Sequence, residues 1–425
     1  MFHDLHDRLD ELAVFRVLNQ DKVFHAFHQL LRITGEQGVD WWVRKAEYYR
    51  FVTLLYQEHT DNWTEYLKNL VLSVETPCTW FASDHAEIPE NIENSARREL
   101  KYLSKMAGIS SQLMKQHYFI MGYGEFTGYE GLQPDWKAEE IDLETLYFDR
   151  LGNIQKYGFG IWAKYKMFQM KLSADSENGY FLKPVSSPDS ISLKELIGYE
   201  LQRKQVIENT EALLNGLKAS NILLYGSAGT GKSATVKAVA NAYAEQGLRL
   251  IELSKNELHL LPELLEELNS NPLKFILFID DLSFQENDDN FSALKAVLEG
   301  SISARAQNTV IYATSNRRHI VRETFSQRAG DEVHRNDTVQ ETVSLSERFG
   351  IQLLFDRPDK KLYLEIVRSL AEQYALQYSP EELALQAEQF AMRKSGRSAR
   401  AARQLAEQLF YQQNQKIRSD SDADT

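Results

Sequence analysis

The chain has 425 residues and a formal net charge of −13 at pH 7, with 43% hydrophobic and 26% charged residues. This composition is typical of a globular protein of two or three domains, and its acidity argues against a surface that binds nucleic-acid phosphates throughout. No apolar run approaches bilayer length and the first residues lack a signal-peptide layout, so we expect a cytoplasmic protein without a membrane partner.

Residues 1–187 are predicted to form a mostly α-helical, aromatic-rich domain that contains all six tryptophans. Apolar residues recur at helical spacing over 40–56 and 63–72, which favours helices packed on one another over a cofactor site. The single cysteine, Cys78, is interpreted as a small core residue rather than a nucleophile. Pro184, Pro188 and the serines between them indicate a linker.

Two histidine pairs in this domain are spaced so that each could meet a metal ion. His3 with His6, and His25 with His28, fit one helix face in each case. No supporting carboxylate–cysteine spacing accompanies them. They are therefore interpreted as surface histidines.

Residues 188–356 are predicted to form a parallel α/β sheet, because short β-branched runs alternate with helical stretches. The runs at 275–279 and 310–313 are almost wholly apolar, as expected for strands covered on both faces. The five predicted strands are 221–225, 248–253, 275–279, 310–313 and 351–355.

A phosphate-binding loop follows the first of these strands. The sequence from Gly226 to Ser233 matches G-x-x-x-x-G-K-[ST] in full, between a predicted strand and a predicted helix. The glycines allow the backbone to wrap a phosphate, Lys232 is expected to reach the β- and γ-phosphates, and Ser233 to ligate Mg²⁺. The predicted nucleotide-binding residues of the loop are Gly226, Ser227, Ala228, Gly229, Thr230, Gly231, Lys232 and Ser233.

The apolar strand 275–279 ends in Asp280 and Asp281, which is a Walker B pattern. Asp280 is expected to hold the magnesium ion, because open α/β sheets bind ligands at the carboxyl ends of their strands. Asp281 is the candidate base that orients the attacking water. An Asp-Asp turn closing a strand is the alternative, and the phosphate loop favours the functional interpretation.

Further polar residues lie at the ends of predicted elements. Asn316 follows the strand 310–313 and can hydrogen-bond the water or the γ-phosphate. Arg348 precedes the strand 351–355, where it can reach a neighbouring subunit as an arginine finger. The double arginine Arg317-Arg318 faces either phosphate or solvent.

Residues 357–415 are predicted to be helical again, with a helix start at Ser379-Pro-Glu-Glu. Within this block, Arg397 and Arg400 begin a helix from which a cation can lie over the nucleotide. Residues 416–425 are polar and acidic and are expected to be disordered.

The order of these motifs resembles the AAA+ superfamily of P-loop ATPases over about residues 189–415. The resemblance implies a parallel five-stranded sheet with a helical lid, and ATP with Mg²⁺ as ligands. It also implies that Ile197 and Tyr199 hold adenine. Asn316 then corresponds to sensor 1, Arg348 to the finger and Arg400 to sensor 2, with Arg397 as the second choice for that role.

More narrowly, the phrases at 280–284, 313–319 and 344–350 are similar to a bacterial family of ATP-binding proteins defined only by a domain of unknown function. One departure from the commonest AAA+ pattern is Asp281, where most members have glutamate. The shorter side chain retracts the carboxylate by about one methylene, and misplacement near 1 Å can lower a rate roughly 100-fold. We therefore expect slow turnover.

The leading hypothesis is a slow ATPase that acts as a remodeller or assembly switch in a homo-oligomer, with a protein partner bound by the N-terminal domain. Threading of protein chains is disfavoured, because 254–262 lacks an aromatic–apolar–glycine triplet. One alternative is a helicase-loader-like nucleic-acid helper, suggested by the alternating aromatics and lysines at 157–168. The other is a nucleotide-gated scaffold with negligible hydrolysis.

Overall fold

The computed structural model describes residues 2–118, 134–176, 178–283, 289–299, 307–316, 346–394 and 396–423. The chain divides into two compact units, Met1–Lys164 and Tyr165–Thr425. The sequence had placed this boundary at residue 187. The difference arises because two strands between 165 and 187 pair with the sheet of the second unit.

The first unit is helical around an aromatic core, as predicted. Trp63 is fully buried and its ring stacks on Phe27 at 4.4 Å, while Phe51 meets it edge-on at 5.3 Å. Cys78 is buried as well, and burial raises the pKa of its thiol to about 11, which suits a core residue. The described helices are α1 Phe2–Asp10, α2 Lys22–Gly35, α3 Trp41–Gln57, α4 Trp63–Ser73, α5 Pro77–Ser83, α6 Glu90–Ala107, α7 Ser111–Tyr118, α8 Leu143–Gly152, α9 Ile154–Tyr157 and α10 Ile161–Lys164.

A buried carboxylate holds the turn that follows α1. Glu99 on α6 is 2% exposed, and its Oε1 accepts a hydrogen bond from the Ala13 amide at 3.1 Å. Its Oε2 accepts from Val14 at 3.1 Å and from Phe15 at 3.0 Å. Charge-assisted bonds of this kind satisfy the amides of Val14 and Phe15, which are buried.

Replacing Glu99 by alanine is therefore expected to lower the free energy of unfolding by about 3 kcal/mol or more, since each buried unsatisfied amide costs roughly 1–3 kcal/mol. Urea unfolding followed by tryptophan fluorescence measures this change. The matched control is Glu93→Ala on the same helix, which removes only a surface pair with Arg97 and should cost at most about 1 kcal/mol. Equal losses for the two variants would contradict the role of Glu99.

The second unit is built on one mixed sheet, which has seven strands within the described residues. The five predicted strands are confirmed, and two more precede them. Their order is β2-β1-β4-β5-β6-β3-β7, and all neighbours are parallel except β1 and β2. The strands are β1 Met167–Leu172, β2 Tyr180–Pro184, β3 Ile222–Gly226, β4 Leu248–Leu253, β5 Lys274–Ile279, β6 Thr309–Ser315 and β7 Ile351–Phe355.

Helices cover this sheet and form the lid. No helix in the described ranges is both long and apolar enough to span a membrane. The helices of the unit are α11 Glu200–Leu214, α12 Lys232–Tyr243, α13 Leu261–Asn269, α14 Asp289–Glu299, α15 Lys360–Gln373, α16 Pro380–Arg393 and α17 Ala399–Ala423. The helical lid, comprising α15 to α17, has its own buried core that includes Tyr363, Leu383 and Leu405.

The last helix corrects one expectation. Residues 416–425 were expected to be disordered, whereas the helical backbone of α17 continues to Ala423. The stretch from Ala399 to Ala423 contains neither glycine nor proline, so no residue in it interrupts the helix.

Candidate nucleotide site

The candidate site lies at the carboxyl edge of the sheet, where three neighbouring strands end. β3 leads into the phosphate loop, β5 ends before Asp280, and β6 ends before Asn316. Because β6 lies between the other two in the sheet, its end faces both the loop and the acidic pair. Ligand sites of open α/β sheets form at such strand ends.

The loop's glycines are required by its backbone geometry. Gly226 has φ +132°, and a Cβ there would lie 2.2 Å from the Phe355 carbonyl oxygen on β7. Gly229 and Gly231 also have positive φ, +74° and +95°. Side chains rarely adopt these conformations. The sequence pattern G-x-x-x-x-G-K-S therefore reflects a tightly curled loop packed against the edge strand.

Lys232 begins α12 and points back into the loop. Its side chain is buried, and its Nζ donates hydrogen bonds to the carbonyl oxygens of Gly226 at 3.0 Å and Ser227 at 2.7 Å. A third bond reaches Asn316 Oδ1 at 3.2 Å. Burial lowers the pKa of this ammonium, and the nearby carboxylates of Asp280 and Asp281 oppose that shift. The loop thus holds the positively charged Lys232 side chain at the place where the phosphate charge of a nucleotide would lie.

Ser233, Asp280 and Thr314 bring oxygen atoms together beside this cation. Ser233 Oγ donates to Asp280 Oδ1 at 2.6 Å, and Thr314 Oγ1 donates to the same oxygen at 2.5 Å. Hydroxyl and carboxylate oxygens are the ligands that Mg²⁺ prefers. Ser233 and Asp280, the two predicted metal ligands, therefore form a donor set that fits Mg²⁺.

Thr314 is a site residue that the sequence interpretation missed. Besides contacting Asp280, its Oγ1 accepts a hydrogen bond from the Asp281 amide at 2.9 Å. The available signal was its position among the small polar residues that end the apolar run of β6. Thr314 links the two carboxylate residues and fixes the turn between them.

Asp281 has a backbone conformation unusual for its residue type, with φ +54°. Its Oδ1 accepts a hydrogen bond from Asn316 Nδ2 at 2.7 Å, and Asn316 in turn accepts one from Lys232. Left-handed non-glycine residues concentrate at functional sites, where surrounding contacts hold them in place. The side chain of Asp281 is thus oriented toward the loop by Asn316.

An apolar wall lies on the other side of the loop. The ring of Tyr199 packs on Phe355 with centroids 4.9 Å apart, and its hydroxyl donates to the Asp356 carbonyl oxygen. Burial raises the pKa of Tyr199 to about 12, so this hydroxyl keeps its proton at neutral pH. Ile197 packs against the lid core. These side chains give the site a surface suited to a flat heteroaromatic base.

The lid contributes Arg400 rather than Arg397. The Arg400 amide donates to the Gly229 carbonyl oxygen at 3.2 Å, and its side chain lines the pocket. Arg397 instead forms a bidentate salt bridge with Glu388, with distances of 3.0 Å from Nε to Oε1 and 2.6 Å from Nη2 to Oε2. Arg403, one helical turn after Arg400, also lines the pocket and was not predicted as a site residue.

The cleft between loop and lid has a volume of about 520 Å³. Ligand sites for small molecules and cofactors range from roughly 300 to 1,000 Å³, so a nucleotide fits. The predicted site residues that line it are Ile197, Tyr199, Ala228, Gly229, Thr230, Gly231, Lys232, Ser233, Asp280, Asp281, Asn316 and Arg400. The predicted residues outside this lining are Gly226 and Ser227, whose carbonyls bind Lys232, and Arg348.

Arg348 lies just before β7, the last strand of the sheet order. Its guanidinium pairs with Glu299 at the end of α14, with an N–O distance of 2.6 Å. This places the arginine at the edge of the sheet and away from the nucleotide cleft of its own chain. Arg317 and Arg318 lie outside the described residues.

Two of the five aromatic rings in the aromatic–lysine stretch at 157–168 are buried. Trp162 is 8% exposed in the first unit, and Phe168 is fully buried in the second. Base stacking requires exposed rings. Core packing therefore explains Trp162 and Phe168, whereas Tyr157, Phe159 and Tyr165 are half-buried.

The sheet, the phosphate loop, the acidic pair after β5 and the helical lid define a P-loop protein of the AAA+ superfamily. The chain belongs to the family described as protein of unknown function (DUF815), whose model matches residues 164–413. The match begins at the boundary between the two units and ends within α17.

Among curated proteins, the chain is similar to Chaperone protein ClpB 2 of Parasynechococcus marenigrum (strain WH8102), with 30% identity over 205 residues. The match covers 44% of this chain and 20% of that relative, so the chain spans about a fifth of its length.

Among solved structures, the chain is similar to Thermotoga maritima RuvB, a Holliday junction branch migration motor, with 19% identity and a TM-score of 0.35. This match covers 51% of the present chain and 63% of that one. A variant of the same RuvB gives 19% identity, a TM-score of 0.36 and coverage of 51% and 64%.

Proposed function

We propose that this chain binds Mg·ATP in the cleft between the phosphate loop and the lid and hydrolyses it slowly. In this proposal it acts as a remodeller or assembly switch within a homo-oligomer. The observation that carries the proposal is the hydrogen-bonded cluster of Lys232, Asn316 and Asp281 beside the pair Ser233–Asp280. A cation, a metal donor set and an oriented carboxylate meet there at one edge of the sheet.

Each part of the ligand has a matching surface. The phosphates would lie on the loop amides and Lys232, at the positive amino end of α12. The base would lie between Ile197, Tyr199 and the lid. Ser233 and Asp280 would hold Mg²⁺, which, when bound, neutralises charge on the phosphate oxygens.

Hydrolysis is assigned to Asp281 and Asn316. Asp281 orients the attacking water and accepts its proton, and Asn316 fixes both that carboxylate and the Lys232 ammonium. Because the aspartate side chain is one methylene shorter than that of glutamate, the carboxylate of Asp281 would lie farther from the γ-phosphate. Slow turnover suits a protein in which ATP binding itself changes the conformation.

The lid supplies the conformational response. The backbone amide of Arg400 donates a hydrogen bond to the Gly229 carbonyl oxygen of the loop, and the residue lines the cleft. Phosphate charge in the cleft would attract its guanidinium and close α17 toward the core. Arg348 would complete the site of a neighbouring copy. The first unit would then carry the protein partner on which the lid movement acts.

A role in threading protein chains has no support from the segment after β4. Residues Lys255–Leu260 form a short 3-10 helix that leads into α13, and Leu258 and Leu261 are buried. A nucleic-acid role has less support than the main proposal, because Trp162 and Phe168 of the aromatic–lysine stretch are buried. The nucleotide-gated scaffold differs from the main proposal only in its rate of hydrolysis.

The interface role of Arg348 predicts that Arg348→Ala retains ATP binding and loses at least about 10-fold in ATPase rate, since arginine fingers contribute roughly 10³–10⁵. Steady-state phosphate release at several protein concentrations measures the effect. Glu299→Ala is the matched control, because it removes the same ion pair and leaves the arginine in place. It should hydrolyse ATP at a rate close to that of the unsubstituted chain.

Mixing variants tests whether the arginine acts on a neighbour. A chain with Arg348→Ala has an intact nucleotide site, and one with Lys232→Ala has an intact finger. Their mixture should recover activity that neither has alone. Unchanged hydrolysis by Arg348→Ala, or no recovery on mixing, would remove the arginine from an interface role.

A further inference from the structure

A second cluster of ligand-type side chains lies in the first unit, apart from the nucleotide chemistry. His6 and Asp10 are four residues apart on α1 and so share one face of that helix. His28 reaches the same point from α2, which packs against α1. One ligand atom from each of the three residues lies within 4.8 Å of the other two.

The two imidazoles face each other through their nitrogens. His6 Nδ1 lies 2.9 Å from His28 Nε2, and the two residues are 9% and 4% exposed. The sequence interpretation of both as surface histidines is therefore wrong. The sequence pattern pairs His3 with His6 and His25 with His28, each along one helix. The packing of α1 on α2 instead brings His6 next to His28.

The carboxylate of Asp10 completes the cluster. Asp10 Oδ1 lies 3.5 Å from His28 Nε2, and its Oδ2 lies 3.4 Å from His6 Nε2. The Asp10 side chain is 62% exposed, so it has room to adjust its rotamer. Two imidazole nitrogens and one carboxylate oxygen make up a common ligand set for zinc.

The spacing is close to what a tetrahedral ion requires. Zinc–nitrogen bonds of about 2.0–2.1 Å give a nitrogen–nitrogen separation of roughly 3.3 Å. The rings of His6 and His28 would have to part by only a few tenths of an ångström from 2.9 Å. Hydrogen bonding between the imidazoles brings the two nitrogens to nearly that separation.

A fourth position is open on one side. A cavity of about 660 Å³ borders the cluster and is lined by Asp10 and His28. His25, one helical turn before His28, lines the same cavity and is exposed. Water in this cavity can therefore complete a four-coordinate ion.

We propose that His6, Asp10 and His28 bind a divalent transition-metal ion, most favourably Zn²⁺. The bound ion would cross-link α1 and α2. The ion would stabilise the first unit because the folded chain binds it and the separated helices do not. This site is independent of the nucleotide site and of the function proposed for it.

The test uses the full-length, untagged chain, first treated with EDTA and dialysed. Zn²⁺ titration by calorimetry should show a one-to-one site, and Zn²⁺ should raise Tm by several degrees in a manner that EDTA reverses. Co²⁺ should give visible absorption bands typical of tetrahedral coordination. Asp10→Asn is expected to weaken Zn²⁺ binding at least about 10-fold, and His28→Gln to abolish the Tm shift.

The matched control lies one turn away on the same helix. His3 and Asp7 form an exposed pair with the same four-residue spacing, so Asp7→Asn should bind Zn²⁺ as the unsubstituted chain does. Should His28→Gln fail to fold, the exposed substitution Asp10→Asn decides the outcome. The proposal is overturned if no stoichiometric Zn²⁺ binding occurs, or if Asp10→Asn and Asp7→Asn bind Zn²⁺ equally well.

Discussion

Replacing Lys232 by alanine is expected to weaken Mg·ATP binding at least about 100-fold, a loss of roughly 2.7 kcal/mol. Lys232 is buried and its Nζ lies between the carbonyls of Gly226 and Ser227 and the amide oxygen of Asn316. Removing a buried partner of a charged group typically costs about 2–5 kcal/mol in binding. Isothermal titration calorimetry with Mg·ATP measures the difference directly.

The control for this experiment lies on the same helix. Lys237 is five residues further along α12 and contacts Glu252 at 3.9 Å, away from the nucleotide cleft. Lys237→Ala should bind Mg·ATP with unchanged heat and affinity. Circular dichroism of the Lys232→Ala chain verifies that the fold survives. Equal binding heat in Lys232→Ala and the unsubstituted chain would refute the nucleotide site, and with it every role assigned around that site.

The second prediction concerns the hydrolytic step and uses Asp281→Asn. This variant should bind Mg·ATP normally and hydrolyse it about 100-fold more slowly, because general-base groups typically contribute 10²–10⁴ in rate. The asparagine retains the size of the side chain but cannot accept the water's proton. Single-turnover hydrolysis with excess protein separates this step from product release. Hydrolysis at an unchanged rate would exclude Asp281 as the base.

A companion variant tests why turnover is slow. Asp281→Glu extends the carboxylate by one methylene toward the cleft, and we expect it to hydrolyse ATP faster than the unsubstituted chain. A rate that fails to rise would show that the short side chain does not limit turnover. If the unsubstituted chain binds ATP but releases no phosphate, the nucleotide-gated scaffold becomes the better description.

Contiguous motifs were predictable because their geometry is local. The loop from Gly226 to Ser233 is defined by a backbone curl that only glycine permits, so its pattern can be recognised without knowledge of the rest of the fold. The run at 275–279 is almost wholly apolar because the strand is covered on both faces, and its residues are buried. Asp280 then follows at the strand end, where ligands bind.

The tertiary structure decided which distant residues meet. The two strands Met167–Leu172 and Tyr180–Pro184 lie in a stretch that the sequence assigned to a helical block. They join the sheet through the pairing of Met167–Leu172 with β4, which lies far along the chain. Thr314 became a site residue through its contact with Asp280, more than thirty residues away.

The choice between Arg397 and Arg400 also required side-chain contacts. The resemblance gives Arg400 as the first choice and Arg397 as the second, and the two residues are only three positions apart in the sequence. Glu388 binds Arg397 in a two-point ion pair, which leaves Arg400 beside the loop. His6 and His28 likewise come together only through the packing of α1 on α2.

The sequence by itself thus determined the class of fold, the phosphate loop and the acidic strand end, because each depends on neighbouring residues and on burial. The tertiary structure alone decided the strand count, the pairing of Arg397 with Glu388 and the histidine cluster. These three features depend on contacts between separate helices and strands. The interaction free energies of such contacts come from pairs of residues that lie far apart in the chain.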